Sequence, residues 1–235
     1  MHTIIHRAGE RGIAEHGWLH TRFSFSFADW YEPTRMGFGA LRVINDDIID
    51  PHSGFGKHPH ANMEIITIVM QGEISHEDSM GNKYKVPAGD IQVMSAGTGV
   101  VHAEFNKGDE RLALFQIWIL PKKHNIEPRY DQKSFGDIKT NNEFQLLVSN
   151  EENSDALYIN QDAYISRARI EKGKAIDYIL KNKNHGVYIL VVDGEIKVSD
   201  AELQTRDAIG VWGTDKVAIV GLKESNILVF EVPMR

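Results

Sequence analysis

Ile68-Val69-Met70-Gln71-Gly72-Glu73-Ile74 is echoed by Leu190-Val191-Val192-Asp193-Gly194-Glu195-Ile196, at an offset close to half the chain. Each string is an apolar, β-branched run that meets a glycine and restarts on an acidic residue, the pattern of two strands joined by a tight turn. A second pair follows in the same order, Ala88-Gly89-Asp90-Ile91 and then Thr205-Arg206-Asp207-Ala208. Hairpin sequences of this kind also recur by chance, but two echoes in one order favour a single β-unit present twice.

Outward from these hairpins, long helical periodicity is scarce. Short β-branched runs recur instead, bounded by Gly, Pro, Asn and Asp, with candidate strands at 41–44, 64–70, 90–95, 112–120, 163–170, 186–192, 208–212, 217–220 and 226–232. That spacing predicts a sandwich or barrel. Between the halves, Glu127 to Ser154 is polar and lacks strand alternation. The expected division is therefore into domains 1–135 and 136–235.

The 235 residues suffice for two modest all-β domains with real cores, and 42% apolar with 25% charged residues indicates neither disorder nor a fibrous repeat. No Cys occurs, which excludes disulfides, iron–sulfur clusters, thiolate zinc sites and Cys nucleophiles, and leaves His and carboxylate as metal ligands. Met1 to Gly12 has no apolar core like that of a secretion signal, and the apolar run Ile65 to Met70 is far too short to cross a bilayer. A cytoplasmic protein without membrane contact is expected. A net charge of −7 argues against direct nucleic-acid binding, because backbone affinity comes from Lys and Arg neutralising phosphates.

Side chains on an extended strand alternate, so His58 and His60 project to one side, as do His102 and Glu104. If those two strands face one another across a barrel, three imidazoles and a carboxylate converge into a first shell suited to Fe, Mn, Co, Ni, Cu or Zn rather than to Mg or Ca. Pro59 places the first pair at a strand start or edge, since it has no N–H to give a ladder. Lone histidines such as His2, His6, His16, His20, His124 and His185 read as hydrogen-bonded structural residues. Gln116 either is buried structurally or points into the site. His76 reads as a turn-stabilising residue more readily than as one that orients a ligand, and Met63, Met94 and Phe55 read as core.

His58-Pro59-His60, followed by Glu64 and Gly72, resembles the first cupin motif, and Gly81 with Pro87 and Gly89 resembles the start of the second. The match departs at His52, where a Gly is usual, and in the late second-motif histidine, His102, which is followed by Asn106. Gly54 to His60, Gly72 to Ser79 and Gln92 to Glu104 are more specific and resemble the pirin family, as do Phe25 to Trp30, Gly37 to Asp47 and Gln116 to Trp118. The resemblance implies two tandem cupin (jelly-roll-like) β-barrels, the C-terminal one degenerate, and one divalent transition metal per chain, with Fe(II) as first choice, on His58, His60, His102 and Glu104. Glu64, a ligand in many cupins, becomes a neighbour. The positions equivalent to the ligands in the second half are Leu180, Asn182, Ile219 and Gly221, none of which offers the same donors.

For activity, the resemblance implies a quercetin 2,3-dioxygenase type of enzyme that uses O2 to open a flavonol ring, with Glu104 as general base. It equally implies a non-enzymatic alternative, a redox-sensitive metal-binding regulator of transcription or of metabolic partner proteins. Isomerisation on a similar site is a third option. A monomer is implied as well.

Overall fold

In the computed structural model, which describes residues 1–137, 140–152 and 154–234, the chain is built from strands; the single-turn 3-10 segment Ala8–Glu10 is the one helical element among the described residues. Four sheets form two barrels. The first barrel pairs a seven-stranded sheet, ordered Arg129–Ser134, Asp90–Ser95, Glu64–Gln71, Leu112–Ile119, Leu41–Ile49, Leu19–Phe23 and Gly12–Glu15, with a four-stranded sheet, ordered Ser53–His60, Val100–Asn106, Glu73–Asp78 and Lys83–Pro87.

The second barrel repeats this wiring. Its small sheet runs Ala175–Ile179, Lys216–Gly221, Glu195–Val198, Ala201–Gln204, and its large sheet contains Ala208–Trp212, His185–Asp193, Ser225–Pro233 and Tyr164–Ile170 in the corresponding order. Each echoed string crosses the corner at which one sheet hands over to the other, through Gly72 (φ 76) and Gly194 (φ 95). A Cβ at Gly194 would meet Glu224 O at 2.4 Å, so turn and close approach both require glycine.

The edge of the second large sheet is filled from the other end of the chain. His2–His6 pairs antiparallel with Ala208–Trp212, the position that Arg129–Ser134 fills beside Asp90–Ser95 in the first barrel. The polar stretch 127–154, read as lacking strand alternation, contains two strands among its described residues, Arg129–Ser134 and Gln145–Ser149. Arg129–Ser134 is an edge strand, which takes its backbone bonds from one neighbour and need not alternate cleanly, whereas Gln145–Ser149 is paired on both sides and too short for its pattern to stand out.

The two large sheets pack back to back. Leu41, Ile44, Ile66, Ile68, Phe115 and Ile117 from the first half meet Ile165, Tyr188, Leu190, Leu228 and Phe230 from the second in one continuous core. Inside the barrels the halves differ. The second is filled by one hydrocarbon cluster that includes Leu180 and Ile219, at two of the four positions equivalent to the ligands, whereas the first has two separate clusters around Leu114 and around Ile65 and Met94. The space between them is polar. Among the described residues no helix is long and apolar enough to cross a membrane.

One buried carboxylate organises the wall of the second barrel. Glu231 is fully buried and accepts hydrogen bonds from the backbone N–H of Lys181 (2.8 Å) and Asn182 (3.0 Å), from Tyr178 (3.0 Å) and from the His185 ring (3.0 Å). Removing it strands several buried donors together, so Glu231→Ala is expected to lower unfolding stability by about 3 kcal/mol in a denaturant titration. Metal content should stay unchanged; a loss below about 1 kcal/mol would show that water replaces the carboxylate.

Candidate metal centre

The edge strand Ser53–His60 and its neighbour Val100–Asn106 are antiparallel partners in the same small sheet, with His58 directly opposite His102. The two pairs therefore converge side by side, not across a barrel as the spacing alone suggests. Cross-strand neighbours bring side chains on one face within about 5 Å, and three rings fall together here: centroids are 4.4 Å apart for His58 and His102, and 4.9 Å for both His58–His60 and His60–His102. Their nearest ring nitrogens all lie within 4.8 Å of one another. Pro59 sits on the outer edge, where no ladder N–H is needed.

The ring chemistry fits a cation. His58 Nδ1 lies 2.8 Å from the Gly56 carbonyl, which can only accept, so the proton is on Nδ1 and the Nε2 lone pair is free. His102 is 2% exposed and neither of its ring nitrogens has a hydrogen-bond partner. Burial pushes the His60 and His102 imidazoles down to about 4, so both are neutral donors at neutral pH. An orphaned, buried, neutral imidazole beside two others fits a divalent transition metal.

A bulge in the strand Ser53–His60 shifts its register between His102 and Glu104, so that Glu104 lies opposite Phe55 on one side and opposite His76 on the other. The structure gathers Glu104 with His102 and His76, so His102 joins two overlapping triads, His58–His60–His102 and His76–His102–Glu104. Glu104 is held on both oxygens: Oε2 accepts from Gln116 Nε2 at 3.0 Å and Oε1 from Gln92 Nε2. Thr67 donates to Gln116 Oε1 at 3.3 Å and accepts from Gln92 at 3.0 Å, and Tyr130 donates to Gln92 Oε1 at 3.0 Å. Burial acts to raise the Glu104 carboxyl, but His76, His102 and the Gln92 amide outweigh it and hold it below its ordinary value.

Gln116 thus points into the site. So does His76, which is 2% exposed, bonded through Nε2 to Asp78 at 3.0 Å, with Nδ1 3.8 Å from Glu104 Oε1. Sequence reasoning gave it a turn-stabilising role because it follows the hairpin at Gly72; its strand partner, however, is Glu104 itself. Glu64 faces the other way: Ile66 and Ile68, on its side of the strand, lie in the core between the barrels, and its Oε2 accepts from Ser95 Oγ (2.6 Å) and Asn160 N (3.1 Å). Gln92, Asn45 and Asp47 went unnoticed in the sequence. The available signal was a solitary polar residue inside an apolar strand run, as at Thr67 and Gln92.

The histidines open on a cavity of about 400 Å³, within the usual range for small-molecule sites, walled by Trp18, Phe27, Phe55, Ile65 and Trp118 and including Asn45, Asp47 and Gln116. A larger groove of about 580 Å³ lies between the barrels near Ile68 and Arg167, and no cluster of metal-ligating side chains among the described residues lines it.

Comparison with known proteins bears on what such a centre does. A family model described as pirin matches residues 6–119, and one described as quercetinase C-terminal cupin domain matches residues 146–232. The chain is 42% identical to a quercetin 2,3-dioxygenase of Escherichia coli over 231 residues, covering 97% of this chain and 98% of that one. It is 40% identical to a pirin-like protein of Caulobacter vibrioides over 221 residues, covering 94% and 95%. Other relatives carry the dioxygenase name only provisionally. A crystal structure of the bacterial pirin YhhW from Escherichia coli, in complex with nickel(II), superposes with TM-score 0.93 at 40% identity over 100% of both chains.

Two outcomes are expected from this geometry. Anaerobic titration with Ni(II) or Fe(II) should saturate at one ion per chain, and His102→Ala should weaken binding by at least about a hundredfold, since even outer-shell changes cost 10- to 100-fold; unchanged stoichiometry and affinity would remove His102 from the centre. Burial also raises the Asp47 carboxyl from 3.8 to about 7. The unfolded chain then ionises first and wild-type stability falls as pH rises through that window, so the stability advantage of Asp47→Asn over wild type should grow from pH 4 to 7 and level off above it. A pH-independent difference in melting temperature would show that Asp47 titrates normally.

Proposed function

This chain belongs to the pirin family, and from that premise we propose that it is a metal-dependent dioxygenase acting on a flavonol or a closely related hydroxylated aromatic molecule. The observation that carries the reading is the triad His58–His60–His102 on an aromatic-walled cavity, sharing His102 with a second triad that contains the clamped carboxylate of Glu104. We assign His58, His60, His102 and Glu104 as the side chains that would hold the ion, with Fe(II) as first choice. A redox-active divalent ion in that site supplies Lewis acidity toward a substrate oxyanion and electrons toward O2.

The protein's own groups account for the remaining requirements. Trp18, Phe27, Phe55 and Trp118 offer flat apolar faces to an aromatic substrate and keep water from the reacting end. Glu104 is the base that takes the substrate's hydroxyl proton. Each of its oxygens accepts one amide hydrogen bond and retains a lone pair, so the clamp leaves it able to receive that proton. His76, held between Asp78 and Glu104, favours the ionised form of Glu104 before transfer.

The test is O2 uptake by the anaerobically metal-loaded protein on addition of quercetin. Uptake is expected for wild type and lost in His58→Ala. Glu104→Gln should lower turnover by at least about a hundredfold while metal content falls less than twofold. Equal loss of metal and turnover would make Glu104 a ligand only, and stoichiometric metal without any uptake would transfer the assignment to the regulatory, non-enzymatic reading.

A further inference from the structure

Asn45 and Asp47 lie two residues apart on the strand Leu41–Ile49 and so face the same side, into the cavity that the three histidines share. Val43 and Ile49 on that face are buried hydrocarbon, and the opposite wall is Trp18, Phe55 and Trp118. Two polar side chains, each 4% exposed, thus stand on the wall of the cavity away from the three histidines' strands.

The protein leaves both short of partners. Asn45 Oδ1 is buried without a hydrogen-bond partner. The other buried carboxylates among the described residues are all bonded: Glu104 to Gln92 and Gln116, Glu64 to Ser95, Asp78 to His76, Asp207 to Arg7, and Glu231 to Tyr178 and His185. Asp47, by contrast, has the Thr21 hydroxyl as its one hydrogen-bonding side-chain neighbour among the described residues. A buried polar group without a partner costs a few kcal/mol, so hydrocarbon at these positions would give a more stable barrel. What makes the arrangement favourable is a partner that arrives with the ligand.

We propose that Asn45 and Asp47 form a specificity subsite that binds a phenolic hydroxyl of the substrate other than the one presented to the histidines, and so fixes the orientation of the ring system in the cavity. The assignment rests on the reading given under Proposed function. A hydroxyl both donates and accepts, matching an unpaired amide oxygen beside a carboxyl. An anionic substituent is disfavoured next to Asp47. Burial, which holds that carboxyl up near neutrality, leaves it able to donate as well as accept. The aromatic walls favour a flat ring as the hydroxyl's carrier.

The experiment compares quercetin with 3-hydroxyflavone, which keeps the reacting hydroxyl and has no other. Binding to metal-loaded protein is read anaerobically from quenching of the tryptophans that line the cavity, Trp18 and Trp118, independently of turnover. Wild type is expected to bind quercetin about tenfold more tightly than 3-hydroxyflavone, and Asp47→Leu to collapse that ratio to near one, with metal content and melting temperature not reduced. Asn45→Leu is a second reading should Asp47→Leu not fold. A ratio that survives both substitutions, or a wild type that binds the two flavonols equally, overturns the subsite and leaves the dioxygenase reading standing. Failure of wild type to bind or consume either flavonol overturns the flavonol reading and the subsite with it.

Discussion

The first barrel has to keep an ionised carboxylate in an interior that would otherwise be hydrocarbon, and the rest of the site follows from how it does so. Gln92, Thr67, Gln116 and Asn45 are cross-strand partners in register on four adjacent strands, forming a polar row straight across the large sheet. Gln92 and Gln116, on either side of Thr67 in that row, present two amide N–H groups to the two oxygens of Glu104, which projects from the opposing small sheet. An ion buried without such donors would lose tens of kcal/mol of hydration or take up a proton. Because the amides are themselves tied to Thr67 and Tyr130, the carboxylate is fixed in place as well as solvated.

The duplicated unit shows the alternative outcome. With the same strand order, the second barrel closes over one continuous apolar cluster, with Leu180 and Ile219 at two of the positions equivalent to the ligands. It contributes in another way. Its large sheet, closed at the edge by the strand His2–His6 from the far end of the chain, supplies Tyr188, Leu190, Leu228 and Phe230 to the core behind the sheet that carries the polar row. That backing holds strands bearing buried polar residues flat against a packed surface. Asp46 adds a tie between the halves, pairing with Arg11 and with Arg206 at 2.9 Å each.

Much of this was legible in the residues. The two echoed hairpins anticipated the repeated unit, and the same-face spacing of His58 with His60 and His102 with Glu104 anticipated which side chains share a face. The edge strand Ser53–His60 was marked by Pro59 even though its Gly-rich sequence hid the strand. What failed were features without a periodic signature. Arg129–Ser134 is an edge strand of largely polar residues, and Gln145–Ser149 is a short apolar run paired on both sides within a polar stretch, so local composition concealed both. His76 looked like a turn residue because local sequence says nothing of the strand beside it.

Local sequence determined the β-class, the duplication, the absence of thiolate chemistry and the donor types available to a metal, because strand alternation and side-chain chemistry act over a few residues. Tertiary structure alone decided that the two His-bearing strands are neighbours, that Glu104 lies beside His76, that Glu64 turns to the core between the barrels, and that Asn45 and Asp47 reach the cavity. Those facts depend on register between strands far apart in the chain. Register is set by the summed packing of whole sheets, and a single-residue slip would send every one of these side chains to the opposite face.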